Sequence, residues 1–137
     1  MNTLKFNQFL NEANAENNYA AFFASMLEIR AQAHMYHWQT TEHSVHIALE
    51  KFYNAYIILI DSLAEAILGF GDRPVLGEAT LSLNDYSKEN VQDFIKNAET
   101  LFKESGLKIA NGKGEVINII DEIIAELDKL KYLLTLS

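Results

Sequence analysis

Apolar residues recur at the helical period in four separate runs of this chain. In the first, from about Asn18 to Thr40, Tyr19, Phe22, Met26, Ile29 and Ala33 form a wide apolar face. Ala20, Phe23, Leu27, Arg30 and His34 fall along a neighbouring one. QTTEHS then breaks the pattern, and Thr41 or Ser44 is positioned to cap the next helix. The second run, from about Ser44 to Leu68, carries Val45, Ala48, Leu49, Phe52, Tyr56, Leu59, Leu63 and Ile67 on its core stripe. GFGDRP ends it, with Gly69 or Gly71 as C-cap and Pro74 as a stop.

Residues Val75–Tyr86 read as a connection held down by Leu76, Leu81 and Leu83. A third helix is expected from near Ser87, through Val91, Phe94, Ile95, Ala98, Leu101 and Phe102, to an end between Gly106 and Asn111. NGKG is a loop signal. The fourth run, about Glu115 to Leu134, places Val116, Ile119, Ile120, Ile123, Ile124, Leu127, Leu130 and Leu134 at the helical period. The pattern predicts an all-α four-helix bundle over residues 18–137, with a long crossover connection between helices 2 and 3. Residues 1–17 are polar and Asn-rich, anchored by Phe6, Phe9 and Leu10, and read as an N-terminal arm.

Composition narrows the function classes. The chain has 137 residues, enough for one domain and too few for two ordinary ones. It has no cysteine, which removes disulfides, thiolate metal sites and thiol chemistry. Its formal net charge of -8 disfavours DNA binding, which rests on Lys and Arg neutralising phosphates. No basic segment followed by an apolar run opens the chain, and AYIILI is too short to span a membrane, so a cytoplasmic protein is expected.

The chemistry is concentrated between His34 and Gly71, which holds all four histidines. His46, Glu50, Tyr53, Ile57, Asp61 and Glu65 follow one another at intervals of three or four, so they share one slowly drifting helix face. A single acid on such a face is ordinarily just solvated, and Asp121-Glu122 and Glu126-Asp128 on the fourth helix read that way. The stripe on the second helix differs, because it is interleaved with Phe52, Tyr56, Ile57, Ile58, Leu59 and Ile60. A helix that is apolar nearly all round has more than one face to bury, and the second one predicts another subunit.

His46 and Asp61 are fifteen residues apart on that helix, about 22 Å at 1.5 Å per residue. Metal ligands sit about 2 Å from their ion, so one copy cannot bring both to one metal. Two copies crossing antiparallel about a two-fold axis near Tyr53 could set His46 of one against Asp61 and Glu65 of the other. Imidazole and carboxylate without thiolate suit Fe(II), Mn(II) or Zn(II). The di-iron site built within one bundle needs two Glu-x-x-His pairs on different helices, and this chain has none.

The spacing His34, His46, Glu50, Asp61, Glu65 resembles that of the Dps family, the miniferritins, in which a second His follows the first at +12, an acid at +16, Asp at +27 and Glu at +31. The stretch AEAILGFGDRPVLGEATLSLNDYS is similar to that family's helix end and short crossover. The resemblance implies a ferritin-like fold and a ferroxidase site shared across a two-fold interface. In it, His34 and His46 of one subunit would meet Asp61 and Glu65 of the other, with Glu50 able to hold a second ion. The chemistry implied is oxidation of Fe(II) by hydrogen peroxide or dioxygen, with iron sequestered if the family's dodecameric shell forms, and Zn or Mn as substitute metals. Ligating histidine must be neutral, so binding is expected to weaken as pH falls through about 6.5.

The departures are specific. Met35 follows His34 where the family usually has Trp, and the His-Trp pair comes one turn later as His37-Trp38. A register starting from His37 would need His at position 49, which is Leu49, so His37 is expected as an extra ligand or a partner to the site. The Lys-rich arm that some members use on DNA has no counterpart. A third helix short for that family motivates a second expectation, a ferritin-like structural or interaction protein with an idle metal site.

Overall fold

The computed structural model describes residues 19–137, and the expected N-terminal arm lies outside them. Helices α1 (Ala20–Gln39) and α2 (His43–Leu68) are followed by a non-helical strap, then α3 (Lys88–Thr100), a π-helical turn (Leu101–Gly106), the short α4 (Leu107–Ala110) and α5 (Gly114–Leu134). The described residues contain no strand. The result is an all-helical protein with four principal helices, as the periodicity predicts.

The expected stripes form the core. Phe22, Met26, Ile29 and Ala33 of α1 are buried with Val45, Leu49, Phe52, Tyr56, Leu63 and Ile67 of α2. From α5 come Val116, Ile120, Ile123, Leu127 and Leu130. Phe94 of α3 stands edge-on to both Tyr36 and Phe52, and Phe102 stands edge-on to Phe22 and Tyr56. Those pairings fix directions. Phe94 then Phe102 meet Tyr36 then Phe22, so α3 runs antiparallel to α1. They meet Phe52 then Tyr56 in ascending order, so α3 runs parallel to α2.

Two parallel helices cannot be joined by a short turn, and the strap supplies the length. It leaves α2 beside Tyr19, whose ring lies edge-on to Phe70. It then runs along α1, hung on that helix's side chains. Glu28 Oε1 accepts the Ser82 N–H at 2.6 Å. Gln32 accepts the Asn84 N–H at 2.8 Å and donates to the Asn84 carbonyl at 3.0 Å. Tyr36 donates to the Asn84 side chain, and Gln39 takes the Tyr86 N–H at 2.7 Å. A segment without secondary structure has to satisfy its backbone somehow, and here α1 does so from one face.

The helix ends reflect local chemistry, with two changes from expectation. The third helix starts near Ser87 as expected, and the Ser87 hydroxyl caps it, accepting the Asn90 N–H at 2.9 Å. Glu42, rather than Thr41 or Ser44, is the N-cap of α2, and no side chain bonds there. Thr40 Oγ1 instead accepts the Glu42 N–H, which uses the hydroxyl one residue earlier in the turn. Gly69 caps α2 in a right-handed conformation, φ -65°, so that position makes no use of glycine's freedom. That freedom is used after α4, where Asn111 (φ 47°) and Gly112 (φ 81°) turn the chain into α5. The π turn presses Gly106 onto α5, where a Cβ would stand 3.3 Å from Ile120 Cδ1. No described helix is long and apolar enough to cross a membrane.

Candidate metal centre

The α1–α2 hairpin turns in Thr40, Thr41 and Glu42, and so brings the end of one helix against the start of the next. The histidines gather there. His37 and His46 stack face to face, ring centroids 3.6 Å apart. Their Nδ1 atoms make a reciprocal pair of bonds: His37 Nδ1 to the His46 carbonyl at 2.7 Å and His46 Nδ1 to the His37 carbonyl at 2.8 Å. A carbonyl oxygen can only accept, so both Nδ1 atoms carry the proton. Each neutral imidazole is then left with its lone pair on Nε2, the form in which histidine binds a metal through that atom.

His34 sits one turn further from the hairpin. It stacks on Tyr53 at 4.4 Å, lies tilted against Trp38 at 4.3 Å, and its ring is 5.9 Å from that of His37. The Arg30 guanidinium lies 5.9 Å from the centre of the Tyr53 ring. Burial, then the charges of Arg30 and His37, hold His34 below the ordinary histidine range. Burial and the nearby Glu50 carboxylate push the Tyr53 phenol up. Sequence spacing favours His34 as the partner of His46, whereas in the fold His37 is the residue that meets it. The reason is the three-residue turn, which sets residue 37 level with residue 46 across the hairpin and leaves residue 34 level with Tyr53. Alternation of aromatic and histidine residues at three and four gives no means of telling those two levels apart.

The acids are elsewhere on the same helix. Asp61 and Glu65 are exposed, one turn apart, toward the C-terminal half of α2, and Glu50 is half-buried beside Tyr53. Among the described residues, no three His, Cys, Asp or Glu side chains of one chain are grouped to hold an ion. The histidines at the hairpin and the exposed carboxylates of Asp61 and Glu65 therefore lie at different levels of the α1–α2 pair.

Glu28, the acid of α1 that the pattern does not single out, is buried at 2% exposure under the strap. Desolvation pushes its carboxyl up to about 7 against the lowering effect of the Ser82 bond. It lies on the strap side of α1, with Gln32, and not with the histidines. The signal for it is a Glu at i-4 from Gln32 on a face that the apolar pattern leaves polar; nothing in that pattern says that a loop covers it.

The chain matches a family model described as a family of unknown function (DUF5856) over residues 37–134. The matched span opens on His37 and includes His46, Glu50, Asp61 and Glu65. No curated protein and no solved structure matches the chain.

Proposed function

The chain belongs to DUF5856, a family of unknown function, and we propose from its own residues that it is a ferritin-like, iron-handling oxidoreductase. In this reading Fe(II) is the substrate, bound between the imidazoles at the hairpin end of one chain and Asp61 and Glu65 of another. Glu50 stands by for a second ion. The metal is oxidised by hydrogen peroxide or dioxygen, and the ferric product is held in whatever enclosed space the assembly provides. The resemblance to miniferritins, the four-helix core and the strap between parallel helices all agree with it.

The observation that carries the reading is the reciprocal His37–His46 bond. It places a proton on Nδ1 of both rings, so that in the neutral imidazole the lone pair of each lies on Nε2. The bonds that tie the hairpin thus also leave two metal-competent nitrogens at one end of the molecule. His37 and His46 are the leading imidazole ligands on this geometry, with His34 one turn away on the same side. Mn(II) or Zn(II) would suit the same donors, and the open positions needed for an oxidant favour iron.

A second reading keeps the fold and leaves the metal site idle. Arg30 favours it, because a fixed cation beside His34 and Tyr53 opposes a metal ion placed next to His34. Anaerobic titration with Fe(II), then addition of peroxide and measurement of ferric absorbance, separates the two. Saturable binding with protein-accelerated oxidation is expected, and the absence of both would sink the iron reading.

A further inference from the structure

A cavity of about 260 Å³ lies where α1, the end of the strap and the start of α3 meet. Gln32 and Tyr36 line it from α1, on the face that carries the strap. Asn84 closes it from the strap, and Asn90, Asp93 and Phe94 close it from α3. At roughly 30 Å³ per water, the space equals about eight or nine waters, which suits a small molecule.

The lining selects by charge. None of the described residues around the cavity is Lys, Arg or His, so an anion there would lose its water with nothing to balance it. Asp93 is the one charged side chain, and because it is exposed it stands at the mouth. The salt bridge among the described residues, Lys103–Glu99, leaves Asp93 unpaired. Its charge is felt inside the cavity. Burial, with Asp93 adding to it against the Asn84 bond, pushes the Tyr36 phenol up to about 12.

The neutral groups lean the same way. The Asp85 carbonyl can only accept, so the Asn90 amide nitrogen is spent on it at 2.8 Å and the amide oxygen keeps its lone pairs. Tyr36 gives its proton to the Asn84 side-chain oxygen and has only lone pairs left to offer. Gln32 is occupied at both ends by the Asn84 main chain. Acceptors therefore remain on Asp93, Asn90 and Tyr36, against one donor, the Asn84 amide nitrogen. Asn97, a further carboxamide of the lining, carries both kinds of group and does not reverse that balance. The Tyr36 and Phe94 rings meet edge to face in the wall, and aromatic faces attract cations.

We propose that this cavity binds a small organic cation, an aliphatic ammonium or guanidinium, with its head among the Asp93 carboxylate and the Tyr36 and Asn90 oxygens. Bound there, the ligand touches α1, the strap and α3 at once and holds the strap against the bundle. The site shares no residue with the iron reading and stands or falls without it.

Isothermal titration of the full chain with agmatine, which carries both kinds of head, tests the proposal. One saturable site is expected, with Kd raised at least about tenfold in Asp93→Asn through loss of a bond to a charged group. Asp93 is exposed, so that variant should keep the helical circular dichroism of wild type. Asp121→Asn removes an exposed acid of α5 and should bind as wild type does, which controls for general attraction to an acidic surface. Hydrogen exchange at Asn84 should slow when agmatine binds. 1,4-Butanediol and succinate, which lack the positive head, should not bind. Absence of saturable binding at millimolar agmatine overturns the proposal, and so does an equal loss in the two variants. Binding without slower exchange at Asn84 places the ligand elsewhere and overturns it as well. Succinate or butanediol binding as tightly as agmatine, or Mg(II) displacing it one for one, overturns the choice of an organic cation.

Discussion

His37 and His46 each donate from Nδ1 to the other's backbone carbonyl, so the two residues fix one another's tautomer and tie the end of α1 to the start of α2. The pair is both a clasp for the hairpin and the reason that two Nε2 lone pairs lie at the same end of the molecule. Nitrogen-15 NMR of the imidazoles in the metal-free protein at pH 8 should show protonated Nδ1 and unprotonated Nε2 for both rings. Finding the proton on Nε2 in either ring would contradict the clasp.

Removing the carboxylates should separate function from stability. Asp61 and Glu65 are exposed, so Asp61→Asn with Glu65→Gln should change the unfolding free energy of the metal-free protein by no more than about 0.5 kcal/mol. Fe(II) affinity should fall by at least about tenfold if these side chains are ligands. Calorimetry with and without metal reads both quantities on the same sample.

Glu28 predicts a dependence on pH of definite sign. Its carboxyl titrates near 4.5 when unfolded and about 7 when folded, so the folded state holds the proton more tightly. The stability it contributes is complete below about pH 4.5 and is lost as pH rises through 7, by at most about 3 kcal/mol at roughly 1.4 kcal/mol per unit. Glu28→Gln keeps an acceptor for Ser82 N–H without the charge. Urea unfolding at pH 5 and pH 8 should show the variant less sensitive to pH and more stable than wild type at pH 8. Equal loss on raising the pH in both proteins would remove Glu28 as the cause.

Gln32 stands in for a strand, meeting both the N–H and the carbonyl of Asn84 with one side chain. Gln32→Leu should leave those two groups unpaired in a partly buried place and cost about 1 to 3 kcal/mol. Hydrogen exchange at Asn84 should accelerate in the variant while the core of α5 stays protected.

Phe102 is fully buried between Phe22 and Tyr56. Phe102→Ala should destabilise by about 3 to 5 kcal/mol, whereas Leu101→Ala, at a partly buried neighbour, should cost clearly less. Thermal melts of the two variants check that the π turn aims Phe102, and not Leu101, into the core; equal losses would contradict it.

The helical periodicity carries the fold a long way. The core residues of α1, α2 and α5 are legible because the helix period alone decides which side chains can share a face. The strap is legible as a connection, and its route is not: Leu76 and Leu81 read as anchors, yet they are exposed, and the segment is held by backbone bonds to Glu28, Gln32 and Gln39 instead. Side chains that bond a distant main chain leave no periodic trace. The histidines are legible as a cluster, but the pairing of His37 with His46 depends on the length of the turn between two helices. Spacing along a sequence measures distance within one helix and says little about level across a hairpin.

A strap fastened through its main chain makes few demands on its own side chains. Between Asp72 and Thr80 every residue is exposed, and Gly77, with φ +70°, has open space where a Cβ would be. Foreign peptide spliced in at Gly77 should leave the helices undisturbed, since the bonds to Glu28, Gln32 and Gln39 are made by Ser82, Asn84 and Tyr86. That loop is accordingly a natural port for grafting an epitope, a fluorophore or a tether onto this bundle.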